Sequence, residues 1–223
     1  MEKNTMPRCA AFFDLDGTLI DVNSALLWAR YEQRMGNVSR LQTARVTWML
    51  LLYKLAIVDV ERLYAEAVRR YEGVERADLD RRTRDWFIDE VAGRIRPGAV
   101  TALEEHRRRG HPLVLLTSVS GYEAAIAMET WNMDGWLANE FPFDTAGRLT
   151  GDVPSPLCYG AGKVDYAEAY AKKHDIDLDN SWFYTDSYTD LPMLERVANP
   201  RIVGPDPRLK LAARRRGWPI LPW

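Results

Sequence analysis

Short apolar runs that end in polar residues mark the predicted strands of this chain. The first run extends from Cys9 to Phe13 and the second from Pro112 to Thr117. A weaker run covers Trp136 to Phe141, and two further runs cover Ser181 to Thr185 and Arg201 to Val203. Continuous apolar runs of this length are typical of strands buried on both faces, and stretches with helical spacing separate them. The alternation predicts a parallel sheet with helices on both faces, in a Rossmann-like α/β fold.

The segment between the first two predicted strands has a different pattern. Apolar residues recur there at helical spacing in four stretches, without a convincing strand among them: 25–34, 41–55, 60–71 and 79–91. We therefore expect an inserted helical domain at 22–95, over a core formed by 1–21 and 96–223. A turn around Gly147, between short alternating segments from Phe141 to Val153, predicts a small β-hairpin flap.

The composition indicates a globular protein and disfavours several other classes of protein. The 223 residues are 47% hydrophobic and 28% charged, which is typical of a globular protein with a sizeable core. Because the formal net charge is −2, we expect no nucleic-acid partner. Two cysteines, Cys9 and Cys158, indicate neither a zinc site nor a disulfide framework and favour the cytoplasm. The most apolar stretch, Val46 to Val58, has 13 residues and is too short to span a bilayer, and Met1 to Arg8 lacks the apolar core of a signal peptide.

Polar residues that suit catalysis follow three of the predicted strands. These residues are Asp14, Asp16, Ser118, Asp186 and Asp190. The carboxyl ends of parallel strands lie at one edge of a sheet, where open sheets bind ligands. Carboxylates crowded at that edge need compensating charge. A divalent metal and a phosphate, with Lys163 nearby, would balance them.

These residues occur in motifs that resemble those of the haloacid dehalogenase superfamily. In order, the motifs are Asp14-Leu15-Asp16-Gly17-Thr18-Leu19, Ser118, Lys163 and Asp186-x-x-x-Asp190, within residues 11–203. The helical insert after the first motif, together with Gly160-Ala161-Gly162-Lys163, is similar to the phosphoserine-phosphatase-like subgroup with a C1 helical cap. The resemblance implies Mg²⁺-dependent hydrolysis of a small phosphomonoester through an aspartyl phosphate.

The resemblance also implies the catalytic roles. Asp14 is the implied nucleophile, since a carboxylate stays ionised at neutral pH and splits one difficult step into two. Asp16 is the implied general acid and then base, and Thr18 is expected to orient it. Taken singly, each of these residues is an ordinary turn or cap residue. A second aspartate favours phosphate-ester chemistry, because dehalogenation needs no acid for the leaving group.

The remaining motif residues are implied to bind phosphate and metal. Ser118 donates to a phosphoryl oxygen, with Thr117 as the alternative, and Lys163 supplies positive charge to the phosphoryl group. The implied Mg²⁺ ligands are the carboxylates of Asp14 and Asp186 and the backbone carbonyl of Asp16, with Asp190 supporting them from behind.

We expect substrate choice to depend on the cap. Phosphoserine phosphatases resemble one another in a glutamate nine positions after the nucleophile, which holds the substrate ammonium. This chain has Asn23 there, a candidate substrate-binding residue, and phosphoserine is therefore not the expected substrate. An amino-alcohol phosphate, a sugar phosphate, a nucleotide and a lysophospholipid stay open. The apolar stretch 47–58 is interpreted as cap core, as a contact between two copies of the chain, or as a contact with lipid or a membrane surface.

Two further functions stay open at this point. A phosphotransferase would use the same Asp14 intermediate with an alcohol instead of water. A regulatory protein would bind phosphorylated ligands without turnover, although the complete set of motif residues disfavours it. The three histidines, His106, His111 and His174, are assigned no chemistry.

Overall fold

The computed structural model describes residues 8–44, 48 and 60–223. Six parallel strands form one sheet in the order β3-β2-β1-β4-β5-β6. The strands are β1 (Ala11–Phe13), β2 (Leu113–Ser120), β3 (Gly135–Asn139), β4 (Trp182–Thr185), β5 (Asn199–Val203) and β6 (Ile220–Leu221). Phe13 of β1 pairs with Leu115 on one side and with Tyr184 on the other. The carboxyl ends of β2 and β4 therefore flank the residues that follow β1.

Helices cover both faces of the sheet, which confirms the Rossmann-like α/β class. They are α1 (Ser24–Arg34), α2 (Val60–Arg69), α3 (Arg76–Trp86), α4 (Pro97–Arg108), α5 (Gly121–Thr130), α6 (Gly162–His174), α7 (Leu191–Arg196) and α8 (Pro207–Arg216). A π-helical turn, Phe87–Val91, and a short 3₁₀ turn, Ala92–Arg94, continue α3. Residues 40–44 are also helical. None of the helices within 8–44 and 60–223 combines the length and the hydropathy of a membrane span.

Two buried clusters occupy the two faces of the sheet. Phe13 and Leu115 face one cluster, to which the inserted segment contributes Trp86 and Phe87. On the other face, Phe12 packs with residues of α6, α7 and α8. Because both faces are covered, the strands are apolar along most of their length, as the sequence predicts.

A third, smaller cluster joins the inserted helices to the rest of the chain. Val68 of α2 and Leu79 of α3 pack with Leu149, and Tyr122 and Phe143 lie against them. The segment predicted as a flap has one internal antiparallel bridge, between Phe143 and Leu149, and a second antiparallel bridge joins its Arg148 to Glu75 of the insert. The predicted hairpin is therefore present as one internal bridge, and a second bridge connects it to the insert. The domain bounds 22–95 stay a prediction.

The structure corrects the predicted end of β2. The sequence predicts that this strand ends at Thr117, whereas β2 continues to Ser120 and pairs there with Asn139 of β3. The register between β2 and β3 shifts between Leu116 and Ser120, so an irregularity keeps the polar residues in the strand. Strand β6 was not predicted, since two residues carry no periodic signal. The stretch 47–58 lies outside the described residues, apart from Trp48.

Candidate active site

The loop after β1 presents two carboxylates at the edge of the sheet. The Asp14 backbone N–H donates to the Tyr184 carbonyl over 2.9 Å, which extends the pairing of β1 with β4 by one residue. The chain then turns back, and the N–H of Thr18 donates to the Leu15 carbonyl over 3.1 Å. This turn leaves both Asp14 and Asp16 facing one cavity.

The absence of a side chain at Gly17 allows the carboxylate of Asp186 to approach this loop. Its φ of +75° lies in the left-handed region, which favours glycine. A Cβ at position 17 would lie 2.2 Å from Asp186 Oδ2, closer than two non-bonded atoms can approach. The Asp186 carboxylate after β4 therefore packs directly on the first motif, as the sequence predicts for residues at one sheet edge.

Lys163 links two aspartates in the buried floor of the site. Its Nζ lies 2.8 Å from Asp14 Oδ1 and 2.8 Å from Asp190 Oδ2, and its side chain is 2% exposed. Thr185 Oγ1 donates to Asp190 Oδ2 over 2.7 Å. Burial lowers the pKa of Lys163, but the two carboxylates outweigh burial and the pKa rises. Lys163 is therefore a permanent cation held against Asp14.

The position of Lys163 depends on a tight turn before α6. A Cβ at Gly162 would lie 2.0 Å from the Leu157 carbonyl oxygen, so this position has no room for a side chain. The turn places Lys163 in the first helical turn of α6, with its side chain directed toward β1. In the sequence Gly-Ala-Gly-Lys, the second glycine is therefore required because any larger residue would clash with the Leu157 carbonyl.

Asp16 is held by the first residues of the inserted segment. The Ser24 N–H donates to Asp16 Oδ1 over 2.9 Å, and Ser24 Oγ donates to Oδ2 over 3.2 Å. The Asn23 amide also donates to Oδ2 over 3.2 Å, while its carbonyl oxygen caps α1 by accepting from the Leu26 N–H. Burial raises the pKa of Asp16 to about 7, with the Ser24 hydrogen bonds opposing the shift.

Two predicted site residues have different surroundings from those expected. Thr18 is fully buried, and its hydroxyl has no hydrogen-bond partner within the described part of the chain. Thr18 therefore does not orient Asp16, since Ser24 and Asn23 make the bonds to that carboxylate. The side chain of Asn23 is used in the helix cap and at Asp16, and its contact with a substrate stays a prediction.

Ser118 and Thr117 both line the cavity at the end of β2. The Ser118 carbonyl accepts from Asn139 Nδ2 over 2.8 Å and also from the hydroxyl of Tyr64 on α2. These bonds hold the backbone of β2 at the site and connect it to the inserted helices. Ser118 therefore stays the predicted phosphate ligand, with Thr117 as the alternative.

The cavity extends from these carboxylates to the underside of the inserted helices. It encloses about 690 Å³. Several aromatic residues line it: Trp28, Tyr64, Tyr71, Trp86, Tyr122 and Phe141. A volume of this size is typical of sites that enclose a small organic ligand.

Glu123 is a further buried carboxyl group of the cavity, and the sequence analysis did not single it out. It follows β2 on the first turn of α5, where its side chain lines the cavity. Burial, with the charge of Asp16 adding to it, raises the pKa of Glu123 well above its usual value. In the sequence it is indistinguishable from an ordinary acidic residue in a first helical turn.

Comparison with protein families identifies this arrangement. The model of the haloacid dehalogenase-like hydrolase family matches residues 11–195, which include all four motifs. The chain belongs to this family.

Other members align with nearly the whole chain. An inhibition of morphological differentiation protein of Streptomyces azureus is 32% identical over 99% of this chain and 80% of its own length. A histidinol-phosphatase of Neisseria meningitidis is 24% identical over 95% of this chain and 97% of its own length.

Solved structures share the fold of this haloacid dehalogenase-like hydrolase. A Bordetella pertussis protein of unknown function superposes with a TM-score of 0.87 at 24% identity, over 97% of this chain and 99% of that one. A phosphoserine phosphatase, solved as a phospho-aspartyl intermediate analogue, superposes with a TM-score of 0.68 at 19% identity, over 96% of this chain and 93% of that one. The likeness to phosphoserine phosphatases expected from the sequence is confirmed at the level of the fold.

The residues of this hydrolase fit the metal that the family implies. Within residues 8–44, 48 and 60–223, no group of three His, Cys, Asp or Glu side chains has the arrangement of a metal site. The implied set is smaller, because it joins the side chains of Asp14 and Asp186 to the carbonyl of Asp16. Burial raises the pKa of Asp14 to about 6 against the effect of Lys163, so a cation would stabilise its charged form. An oxygen-only set of this kind suits Mg²⁺.

Proposed function

We propose that this haloacid dehalogenase-like hydrolase is a cytoplasmic Mg²⁺-dependent phosphomonoesterase that acts on a small organic phosphate through an aspartyl phosphate on Asp14. The observation that carries the proposal is the buried ion array of Asp14, Lys163 and Asp190 beside a second carboxyl group, Asp16, with a raised pKa. The histidinol-phosphatase relative supports phosphate-ester chemistry. Two free cysteines are consistent with a reducing compartment.

In the first step, Asp14 attacks the phosphorus of the ester. Lys163 binds Oδ1 of Asp14, and we assign the attack to Oδ2. The bond between phosphorus and the ester oxygen breaks as the bond to Asp14 forms. Lys163 stabilises the charge of the phosphoryl oxygens, and Ser118 or Thr117 donates a hydrogen bond to them.

Asp16 transfers the protons of both steps. Its pKa near 7 leaves a substantial protonated fraction at neutral pH, so it can donate a proton to the departing alkoxide. The resulting carboxylate then accepts a proton from the water that attacks the phosphorus of the aspartyl phosphate. Inorganic phosphate leaves and Asp14 is restored. Ser24 and Asn23 position Asp16 for both transfers.

Asp14, Asp186 and the carbonyl of Asp16 would hold Mg²⁺ at the edge of the sheet. When bound, the ion would neutralise phosphoryl and carboxylate charge. The contact of Asp186 with Gly17 fixes the distance between the two loops that supply these ligands.

The test measures phosphate release from a panel of phosphomonoesters, with Mg²⁺ and with EDTA. The panel contains p-nitrophenyl phosphate, histidinol phosphate, phosphoserine and a lysophosphatidate. We expect Mg²⁺-dependent release by the native chain and a loss of more than about 10³-fold in Asp14→Asn, because the nucleophile is removed. Asp165→Asn, an exposed aspartate on α6, is the matched control and should retain activity. Metal-independent turnover, or turnover that survives in Asp14→Asn, would contradict the proposal.

A further inference from the structure

The carbonyl oxygen of Ser118 accepts hydrogen bonds from two side chains that belong to different parts of the fold. One donor is Nδ2 of Asn139 on β3, at 2.8 Å, and the other is the hydroxyl of Tyr64 on α2 of the insert. A carbonyl oxygen has two lone pairs, so both of its acceptor positions are used. The backbone at Ser118 is therefore held from two sides, next to the hydroxyl that is expected to bind the phosphoryl group.

The register shift between β2 and β3 explains why side chains supply these bonds. Leu116 pairs with Leu137 and Ser120 pairs with Asn139, so three residues of β2 lie opposite one residue of β3. The regular ladder is interrupted at Ser118, which lies between the two pairs. A carbonyl without a partner costs free energy wherever water cannot reach it, and the two side-chain donors remove that cost.

Asn139 is the donor that belongs to the core. Its side chain is fully buried, and its Oδ1 accepts from the Cys158 N–H over 2.8 Å. Cys158 adjoins Leu157, whose carbonyl closely approaches Gly162 in the turn before α6. Asn139 therefore ties the backbone of Ser118 to the segment that precedes α6, and none of these contacts involves the insert.

Tyr64 is the donor that belongs to the insert. Its side chain lines the same cavity as Asp16 and Lys163. Burial raises the pKa of Tyr64, and the charge of Asp16 adds to the shift, so the hydroxyl keeps its proton at neutral pH and stays a donor. The Ser118 carbonyl receives this second hydrogen bond only while α2 lies over the end of β2.

Backbone hydrogen bonds hold the turn after α2 against the predicted flap. The Gly73 N–H donates to the Leu149 carbonyl over 2.8 Å, and the Leu149 N–H donates to the Val74 carbonyl over 2.9 Å. Val68 of α2 packs against Leu149 as well. Because these contacts do not involve the Tyr64 hydroxyl, we expect α2 to keep its place when that hydroxyl alone is removed.

We infer that Tyr64 is a positioning residue of the phosphate site: together with Asn139 it fixes the peptide group after Ser118, so that the Ser118 hydroxyl faces the phosphoryl group. The inference rests on the proposed phosphomonoesterase function and adds to it a residue of the insert that acts through Ser118. It also selects Ser118 over Thr117 as the phosphate ligand. Tyr64 itself does not contact the reacting atoms in this account.

The test is a double-mutant cycle with p-nitrophenyl phosphate as substrate. Tyr64→Phe keeps the ring and removes the donor, and Ser118→Ala removes the hydroxyl that Tyr64 positions. We expect Tyr64→Phe to lower kcat/KM at least about 10-fold in the native background, because a small misplacement of a binding group reduces the rate steeply. In the Ser118→Ala background the same change should lower kcat/KM by no more than about twofold, since no hydroxyl remains to be positioned. Tyr31→Phe, a half-buried position on α1 outside the cavity, is the matched control and should keep native activity.

The cycle separates positioning from a general disturbance of the insert, which would lower activity by the same factor in both backgrounds. If the two factors are equal, or if Tyr64→Phe has native activity, the inference is overturned while the phosphomonoesterase function stands. If the native chain does not hydrolyse p-nitrophenyl phosphate with Mg²⁺, the proposed function itself fails and the inference fails with it.

A second measurement needs no turnover. Inorganic phosphate, the product, is titrated by calorimetry into the native chain, the two single variants and the double variant, with Mg²⁺ present. We expect Tyr64→Phe to weaken phosphate binding at least about fivefold in the native background, the effect of one hydrogen bond, and to leave the affinity of Ser118→Ala unchanged. Losses of affinity that add in the double variant would overturn the inference even if the activity of Ser118→Ala were too low to measure.

Discussion

At the scale of single residues, the account depends on buried charges that compensate one another. Lys163, Asp14 and Asp190 are all nearly inaccessible to water, and each carboxylate contacts the same ammonium group. Removing one member of a buried ionic group leaves its partners without compensation, which costs more free energy than the intact group contributes. In the proposed function, catalysis and stability therefore depend on the same lysine.

Replacing Lys163 by methionine should reduce both stability and activity. We expect the free energy of unfolding to fall by roughly 3–5 kcal/mol, because two buried carboxylates lose their cation. Phosphate release should fall by at least about 10²-fold, since the phosphoryl group loses its positive partner. Urea denaturation and steady-state kinetics measure the two effects. Lys172→Met, at an exposed position of the same helix, serves as the control and should change neither. A native-like unfolding curve for Lys163→Met would contradict the account.

Gly17 and Gly147 provide a matched pair for testing the contact with Asp186. Both have a positive φ, of +75° and +76°, but a Cβ at Gly147 would meet nothing within 4 Å. Each change to alanine should cost roughly 1 kcal/mol of backbone strain. Gly17→Ala should in addition lower Mg²⁺-dependent turnover by at least about 10²-fold, because Asp186 has to move. Kinetics over a range of Mg²⁺ concentrations measure the difference. Equal activities of the two variants would show that the position of Asp186 does not matter.

At the scale of elements, the start of α1 has two roles. Asn23 caps the helix with its carbonyl oxygen and donates to Asp16 with its amide group. Asn23 departs from a family pattern in the sequence, but its contacts could not be predicted, because helix capping and the approach to Asp16 depend on where α1 begins.

Two variants of Asn23 separate these roles. Asn23→Ala should lose about 1 kcal/mol of stability with the cap, while Asn23→Ser should lose less, because serine is also a good cap. Neither side chain can donate to Asp16 as the amide does, so both variants should raise the pKa of Asp16 and shift the pH–rate profile upward to the same extent. Thermal unfolding and pH profiles give the two readouts. A pH shift in Asn23→Ala alone would show that the effect arises from the helix and not from the lost hydrogen bond.

The contact of α4 with the sheet should depend on pH. His106 lies buried between Tyr184 and His111, with 2.9 Å from Nε2 to the tyrosine hydroxyl and 2.9 Å from Nδ1 to His111 Nδ1. Burial lowers the pKa of His106 from 6.5 to about 4, with the charges of His111 and Arg109 adding to the shift. Between these values the unfolded chain binds the extra proton, so stability falls as pH decreases from about 6.5 to about 4.

This fall should amount to at most about 3 kcal/mol for His106. It is measured as the difference between the native chain and His106→Gln in urea denaturation across that pH range, since other groups titrate in both proteins. His174→Gln, at an exposed position, should behave like the native chain. Parallel pH profiles for the native chain and His106→Gln would contradict the assignment.

At the scale of the whole molecule, the sequence predicts the sheet and the position of the site because both depend on local pattern. Apolar runs locate β1, β2 and β4, and the polar residues after them meet at one edge because parallel strands end together. The predicted end of β2 was wrong, because a register shift against β3 keeps polar residues in the strand. Glu123 could not be predicted as a residue of the cavity for a similar reason. Its burial depends on the packing of α5 against β2, β3 and α3, which no local sequence pattern indicates.

The central claim is that Asp14 becomes phosphorylated during turnover. The most direct measurement mixes the Mg²⁺-loaded protein with excess ³²P-labelled p-nitrophenyl phosphate, quenches it in acid within milliseconds and maps the label on peptides. We predict label on the peptide that contains Asp14, formed before phosphate is released, and none in Asp14→Asn or after EDTA treatment. Label on another residue, or a complete turnover without any label on the protein, would contradict the account.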